Sequence, residues 1–232
     1  IWIQTAITFV AFVILFMAPG NEMRVASEIT TWMPGYKELS VGNHLFMTIQ
    51  WMLSSFANEG KAFFIAIWAA GFLLLMKSKK AKVYQILAVV FSVVALLPYA
   101  GISFFSEMGI GYIDIEQCLT ELPTWQTMTT QNRIAFFWWI AAVLFTLVLL
   151  WKVTGHSVFI SMAFLGGIAS EAVLHFSPTI YASGARVYYL TDLMYLFIIL
   201  WMVMRMDSEK KKNLFIAGTA ALGVINFLSQ YS

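Results

Sequence analysis

KAFFIAIWAAGFLLLMKSKKAKVYQILAVVFSVVALLPYAGISFF, residues Lys61 to Phe105, decides how this chain folds. The run from Ala62 to Met76 is uncharged. KSKKAK, Lys77 to Lys82, then places four lysines in a short segment, and a second apolar run, Val83 to Phe105, follows. Two apolar segments of near-spanning length around a short basic loop read as two membrane helices joined on the cytoplasmic side, where Lys- and Arg-rich loops are retained. Pro98 lacks an N–H and is expected to kink the second helix near the outer face.

Composition says the same of the whole chain. Of 232 residues, 60% are hydrophobic and 11% charged, against roughly 25% charged in a soluble domain. Mean hydropathy is +0.78. So few polar side chains do not cover the apolar surface, which points to lipid as the solvent. A net charge of +2 excludes a nucleic-acid partner as the organising theme, and a single cysteine, Cys118, excludes an intrachain disulfide. Trp32, Trp51, Trp125, Trp138 and Trp139 are expected mostly in interfacial belts.

Working outward, residues 1–18, IWIQTAITFVAFVILFMA, are nearly long enough to span, and Pro19-Gly20 ends the run. With no initiator Met and no charged leader, the chain reads as the later part of a longer protein. Val41 to Ala57 sets Leu45, Ile49, Met52, Leu53 and Phe56 at helical spacing, interrupted by Asn43, His44 and Gln50. It reads as an interfacial or re-entrant helix. Beyond Phe105 comes a long loop with Glu107, Asp114, Glu116 and Glu121 and no Lys or Arg. Arg133–Trp151, Ser157–Phe176, Val187–Met204 and Leu214–Tyr231 then alternate across the membrane, joined inside by Lys152–His156 and by the basic RMDSEKKKN, Arg205 to Asn213. The expectation is an all-α polytopic transmembrane bundle. It has about seven spans plus one outer-face helix in a single domain over residues 1–232, with the N-terminal end inside and the C-terminal end outside. No internal repeat of the kind many transporters carry is visible.

The candidate chemistry collects at the outer face. In GGIASEAVLHFSPTIYASGARVYYLTD, Gly166 to Asp192, Glu171 and His175 are four residues apart and share a helix face. Asp192 lies just inside the next apolar run, where a charge is expensive without a partner, cavity or ligand. Glu171, His175 and Asp192 are therefore the catalytic candidates. Glu171 and His175 equally fit a polar pair at the interface. Arg186 follows the Ala-Ser-Gly-Ala turn and precedes Tyr188, and fits either a phosphate clamp or a headgroup anchor. In APGNEMR, Ala18 to Arg24, Pro-Gly stops a helix and presents Asn21 and Arg24. Asn21, Arg24, Arg186 and Tyr188 are the substrate-binding candidates. One His and one Glu are too few ligands for a metal, so none is expected. The cofactor stays open.

At APGN-x-x-R, and at Ser177-Pro178 followed by Arg186 before a tyrosine-rich span, the chain resembles an uncharacterised family of bacterial multi-pass proteins. That family is similar to GT-C-type glycosyltransferases, which take a sugar from a polyprenyl-phosphate carrier. The resemblance implies a transferase in the bacterial cytoplasmic membrane. It would move a sugar from a polyprenyl-phosphate donor to a cell-envelope glycan on the extracytoplasmic face, with membrane lipids, the lipid-linked sugar and the glycan acceptor as partners. In the GT-C pattern a catalytic carboxylate sits in the first outer loop, which would precede Ile1. The alternatives are a transporter or flippase for a lipid-linked or anionic solute, and a non-catalytic membrane subunit.

Overall fold

The structure, a computed structural model, describes residues 21–32, 35–58, 60–100, 125–126, 130–175 and 188–229. Among the described residues the chain is all-helical. The α-helices are α1 (Asn21–Trp32), α2 (Val41–Asn58), α3 (Lys61–Leu75), α4 (Lys82–Leu96), α5 (Thr130–Val153), α6 (Val158–His175), α7 (Tyr189–Met204) and α8 (Glu209–Ser229). Short 3₁₀ turns cover Tyr36–Glu38, Lys79–Ala81 and Leu97–Ala100. Pro98 lies in the last of these, directly after α4, where its missing N–H cannot continue the α-helical ladder. The expected first span, the acidic residues Glu107, Asp114, Glu116 and Glu121, and the 177–186 turn lie outside the described residues.

The central element is α3. It packs against α2, α4, α5, α7 and α8. That placement follows from its sequence, which has apolar residues around its whole circumference and so no face suited to water. Phe64 is fully buried, with the rings of Phe56, Trp68, Trp139, Phe164 and Tyr195 around it at centroid distances of 5.1 to 6.1 Å. One turn on, the buried Trp68 Nε1 donates to Thr146 Oγ1 of α5 at 2.8 Å, and Thr146 in turn donates to Ala142 O at 2.7 Å. Gly71 lets α5 approach closely. A Cβ there would lie 2.7 Å from Leu149 Cδ2, inside van der Waals contact.

Outward, the pattern inverts relative to a water-soluble bundle. Large apolar side chains such as Ile86, Val90, Val93, Leu144, Phe159, Leu196, Leu200 and Phe227 are exposed, while Glu171, Thr146, Thr191, Gln50 and Ser55 are buried. In α2 the polar side enters the bundle. Thr48, Gln50, Ser54 and Ser55 are buried beside Met47, Leu53 and Phe56, whereas Leu45 and Ile49, of the same helically spaced apolar set, face out. The tryptophan expectation is corrected in part. Trp51 and Trp139 are core residues, where their large apolar rings are removed from the surface. Trp125 is exposed, with the Arg133 guanidinium 5.1 Å from its ring.

By length and composition, Arg133–Val153 is the one described helix able to cross a membrane by itself. The pair Val41–Ala57 and Lys61–Leu75 passes the same test jointly, bent by 69° as in a broken span or a re-entrant segment. The helices Lys82–Leu96 and Tyr189–Met204 are apolar but shorter. The α5–α6 connection is the tight turn expected. Gly155 and His156 both take left-handed backbone angles (φ 63° and 72°), and the His156 N–H closes on Trp151 O at 2.9 Å.

At the end where α3 stops and α4 and α8 begin, Asp207 joins two loops. Lys77 Nζ lies 2.6 Å from its Oδ2 and Lys211 Nζ lies 2.9 Å from its Oδ1. The hydrogen bonds from Lys77 and then Lys211 hold the carboxyl down at about 2.

Three outcomes follow. Gly71→Val is expected to destabilise the fold by about 1–3 kcal/mol through overpacking against Leu149. Thr146→Val is expected to cost about 1–3 kcal/mol by stranding the Trp68 indole N–H. Thermal unfolding of the purified variants checks both. Because the Asp207 pKa is depressed by folding, its contribution to stability is present above about pH 4 and lost as pH falls toward about 2. A pH series of unfolding midpoints for wild type against Asp207→Asn should therefore converge at the acid end.

Candidate functional site

Three of the sequence-derived candidates meet at one place. Glu171 on α6, Asp192 on the first turn of α7 and Tyr188 just before α7 line a cavity of about 10 Å³ together with Ser55, Phe56, Gly60, Thr191 and Tyr195. That volume is close to the minimum for a single water. The backbones of His175, Asn21 and Arg24 are helical, but their side chains lie outside the described residues, as does all of Arg186.

Local sequence explains how these groups come together. Gly167 on α6 has no side chain to separate the helices. A Cβ there would sit 3.3 Å from Tyr195 Cε1 and 3.5 Å from Met194 Cβ. With α7 that close, Thr191 Oγ1 donates to Gly167 O at 3.1 Å, and Ser170 Oγ lies 3.2 Å from Thr191 Oγ1. Glu171 lies four residues on from Gly167, on the same face of α6, and so meets the same seam. Asp192 gains from its position in the first turn of α7, where the unsatisfied N–H groups and the helix dipole favour negative charge.

The third wall is the end of α2. The bend there is shaped by Gly60, whose N–H donates to Ser55 O at 2.9 Å and whose missing Cβ leaves room beside Phe56 Cα. This sets Ser55 against α6, where its hydroxyl donates to Glu171 Oε1. The same hydroxyl lies 2.8 Å from Met52 O. It carries one proton, so it serves one acceptor at a time. With Glu171 ionised, the proton goes to the carboxylate. With Glu171 protonated, the carboxylic acid donates to Ser55, and Ser55 turns to Met52 O.

Glu171 is 1% exposed, so it is a carboxylate enclosed by the helices. Asp192 is half-buried. Tyr195 is also 1% exposed, and its hydroxyl has no hydrogen-bond partner among the described residues. A water in the cavity would meet the phenol and a carboxylate together, the polar surroundings a buried water needs.

Sequence reasoning missed Ser55, Thr191 and Tyr195. Thr191 and Tyr195 were legible as the neighbours of Asp192 at one and three positions. Ser55 carried no local signal, because it joins the site across a sequence separation of 116.

Ser55→Ala removes a hydrogen bond to a buried carboxylate and is expected to destabilise by about 1–3 kcal/mol. Tyr195→Phe removes an unpartnered hydroxyl and keeps the ring, so it should leave stability within about 1 kcal/mol of wild type. Denaturation in matched detergent reads both, and a large loss for Tyr195→Phe would mean that its hydroxyl is satisfied. No protein-family model, curated protein or solved structure matches this chain.

Proposed function

We propose that the chain is a polytopic protein of the bacterial cytoplasmic membrane, the carrier-binding part of a glycosyltransferase acting on a polyprenyl-phosphate-linked sugar. About seven spans with the α4 side of KSKKAK inside is the arrangement its basic loops favour. The exposed apolar faces of α4 to α8 support a lipid surrounding. The single observation that carries the site is the junction of Glu171, Asp192 and Tyr188 with the end of α2, the helix read from sequence as bordering the outer face.

In this reading Arg186 and Arg24 bind the carrier phosphate and balance its charge as it leaves. The acceptor hydroxyl oxygen attacks the anomeric carbon. The bond from that carbon to the phosphate oxygen breaks, and the phosphate leaves with the electron pair. Asp192, the more accessible carboxylate, takes the acceptor proton. Glu171, buried on Ser55, is a positioning residue that fixes the α2–α6–α7 junction.

The water-sized cavity also favours a second reading, a proton- or cation-coupled transporter of a lipid-linked or anionic solute, in which Glu171 and Asp192 exchange the coupling ion. Transfer assays in membranes holding the full-length protein separate the two. Asp192→Asn should lower sugar transfer about 10²–10⁴-fold, and Arg186→Ala should lower it while weakening binding of the lipid-phosphate donor. Wild-type transfer rates in both variants would remove the transferase. Flux of the solute across sealed vesicles without any transfer would establish the transporter.

A further inference from the structure

A second cavity lies on the far side of α3. It is an elongated groove of about 530 Å³ with α3 as its floor and α4 and α8 as its walls. Trp68 and Phe72 form much of the floor, and Gly218 on α8 opens the wall, since a Cβ built there meets nothing within 4 Å. Its two hydroxyl-bearing residues are Ser92 and Thr219, and Thr219 is already satisfied by Phe215 O at 2.9 Å. The groove therefore has little to offer a polar ligand.

Its direction is set by the three helices. At one end α3 stops while α4 and α8 start, and the lining begins there at Leu73, Ala88 and Leu214. At the other end it reaches Ile65, Leu96 and Ile225. From Leu214 to Ile225 the length is about 16 Å at the helical rise. This is about half of a roughly 30 Å hydrocarbon core, the depth of one leaflet.

The starting end is strongly basic. Lys77 and Lys211 are committed to Asp207, and Lys212 to Glu209 at 2.7 Å. Lys79, Lys82 and Lys210 are exposed and make no ion pair among the described residues. The N-termini of α4 and α8 add their own partial positive charge. An apolar slot of leaflet depth with uncommitted lysines at its mouth is complementary to one molecule, an anionic phospholipid with a chain in the slot and its phosphate among the lysines. We infer that the α3–α4–α8 groove is a binding site for one chain of an anionic phospholipid, held at the headgroup by Lys79, Lys82 and Lys210. The inference rests on the membrane placement above but not on sugar transfer, and the site is separate from the Glu171 centre.

The test uses the purified full-length protein in nanodiscs of phosphatidylglycerol and phosphatidylcholine in equal amounts, with retained lipid measured by native mass spectrometry after delipidation. Wild type should retain phosphatidylglycerol several-fold over phosphatidylcholine. The Lys79→Ala, Lys82→Ala, Lys210→Ala triple variant, altered only at exposed side chains, should lose the preference with unchanged thermal stability. Gly218→Leu, which fills the groove, should reduce retained lipid of both kinds, and Arg186→Ala should change neither result. Equal retention of the two lipids by wild type overturns the proposal. So does retention that survives Gly218→Leu, which would leave the groove to another occupant such as the apolar run 1–18. A protein released from membranes by alkaline carbonate would instead overturn the membrane placement itself, a result distinct from both.

Discussion

The structure depends on a helix that has no outside. Five other helices surround α3, so every face of it must match a partner, and the positions of those partners relative to one another follow. Two devices make the match specific. Gly71 admits Leu149 at a distance a larger residue would forbid, and the Trp68–Thr146 hydrogen bond fixes the depth of α5 along α3. In an interior closely packed by ring contacts, a misplacement of one turn would strand an indole N–H and open a void beside Leu149.

The same helix separates two regions of opposite chemistry. On one side lie Ser55, Glu171, Thr191, Asp192 and Tyr195 around a space for about one water. On the other lies an almost wholly apolar groove. The polar side is held by features that bring backbones together, Gly167 between α6 and α7 and the Gly60 turn at the end of α2. The apolar side is held apart, with α4 and α8 both resting on α3 and leaving a slot between them. Close approach concentrates hydrogen-bonding groups and separation leaves hydrocarbon-lined space, so helix spacing alone accounts for much of the difference.

Much of the helical plan was legible because apolar runs and basic loops are local signals. Lys61–Met76 became Lys61–Leu75, and Val41–Ala57 became Val41–Asn58. Glu171 and Asp192 were legible because a carboxylate in an apolar run stands out, and the structure places both at one cavity. Orientation was not legible. In α2 the helical spacing set Leu45, Ile49, Met52, Leu53 and Phe56 on one stripe, yet Leu45 and Ile49 face out while Leu53 and Phe56 are buried, and the partner for its buried serine is a glutamate far along the chain. Trp51 and Trp139 likewise look like belt residues by type, and only the surrounding packing makes them core.

The Lys77–Asp207 contact carries a consequence for how the chain is made. It spans 130 positions, and at about 5–20 residues per second a ribosome needs roughly 10 s to travel from one partner to the other. When that interval begins α3 exists while α5, α7 and α8 do not; α5 and α7 emerge within it, and α8 only after Asp207. The enclosure of α3 is therefore completed only as the later helices emerge, and until then the Gln85 side-chain amide, which donates to Leu75 O and Ser78 O, ties the start of α4 to the end of α3 before Asp207 arrives to close the ring.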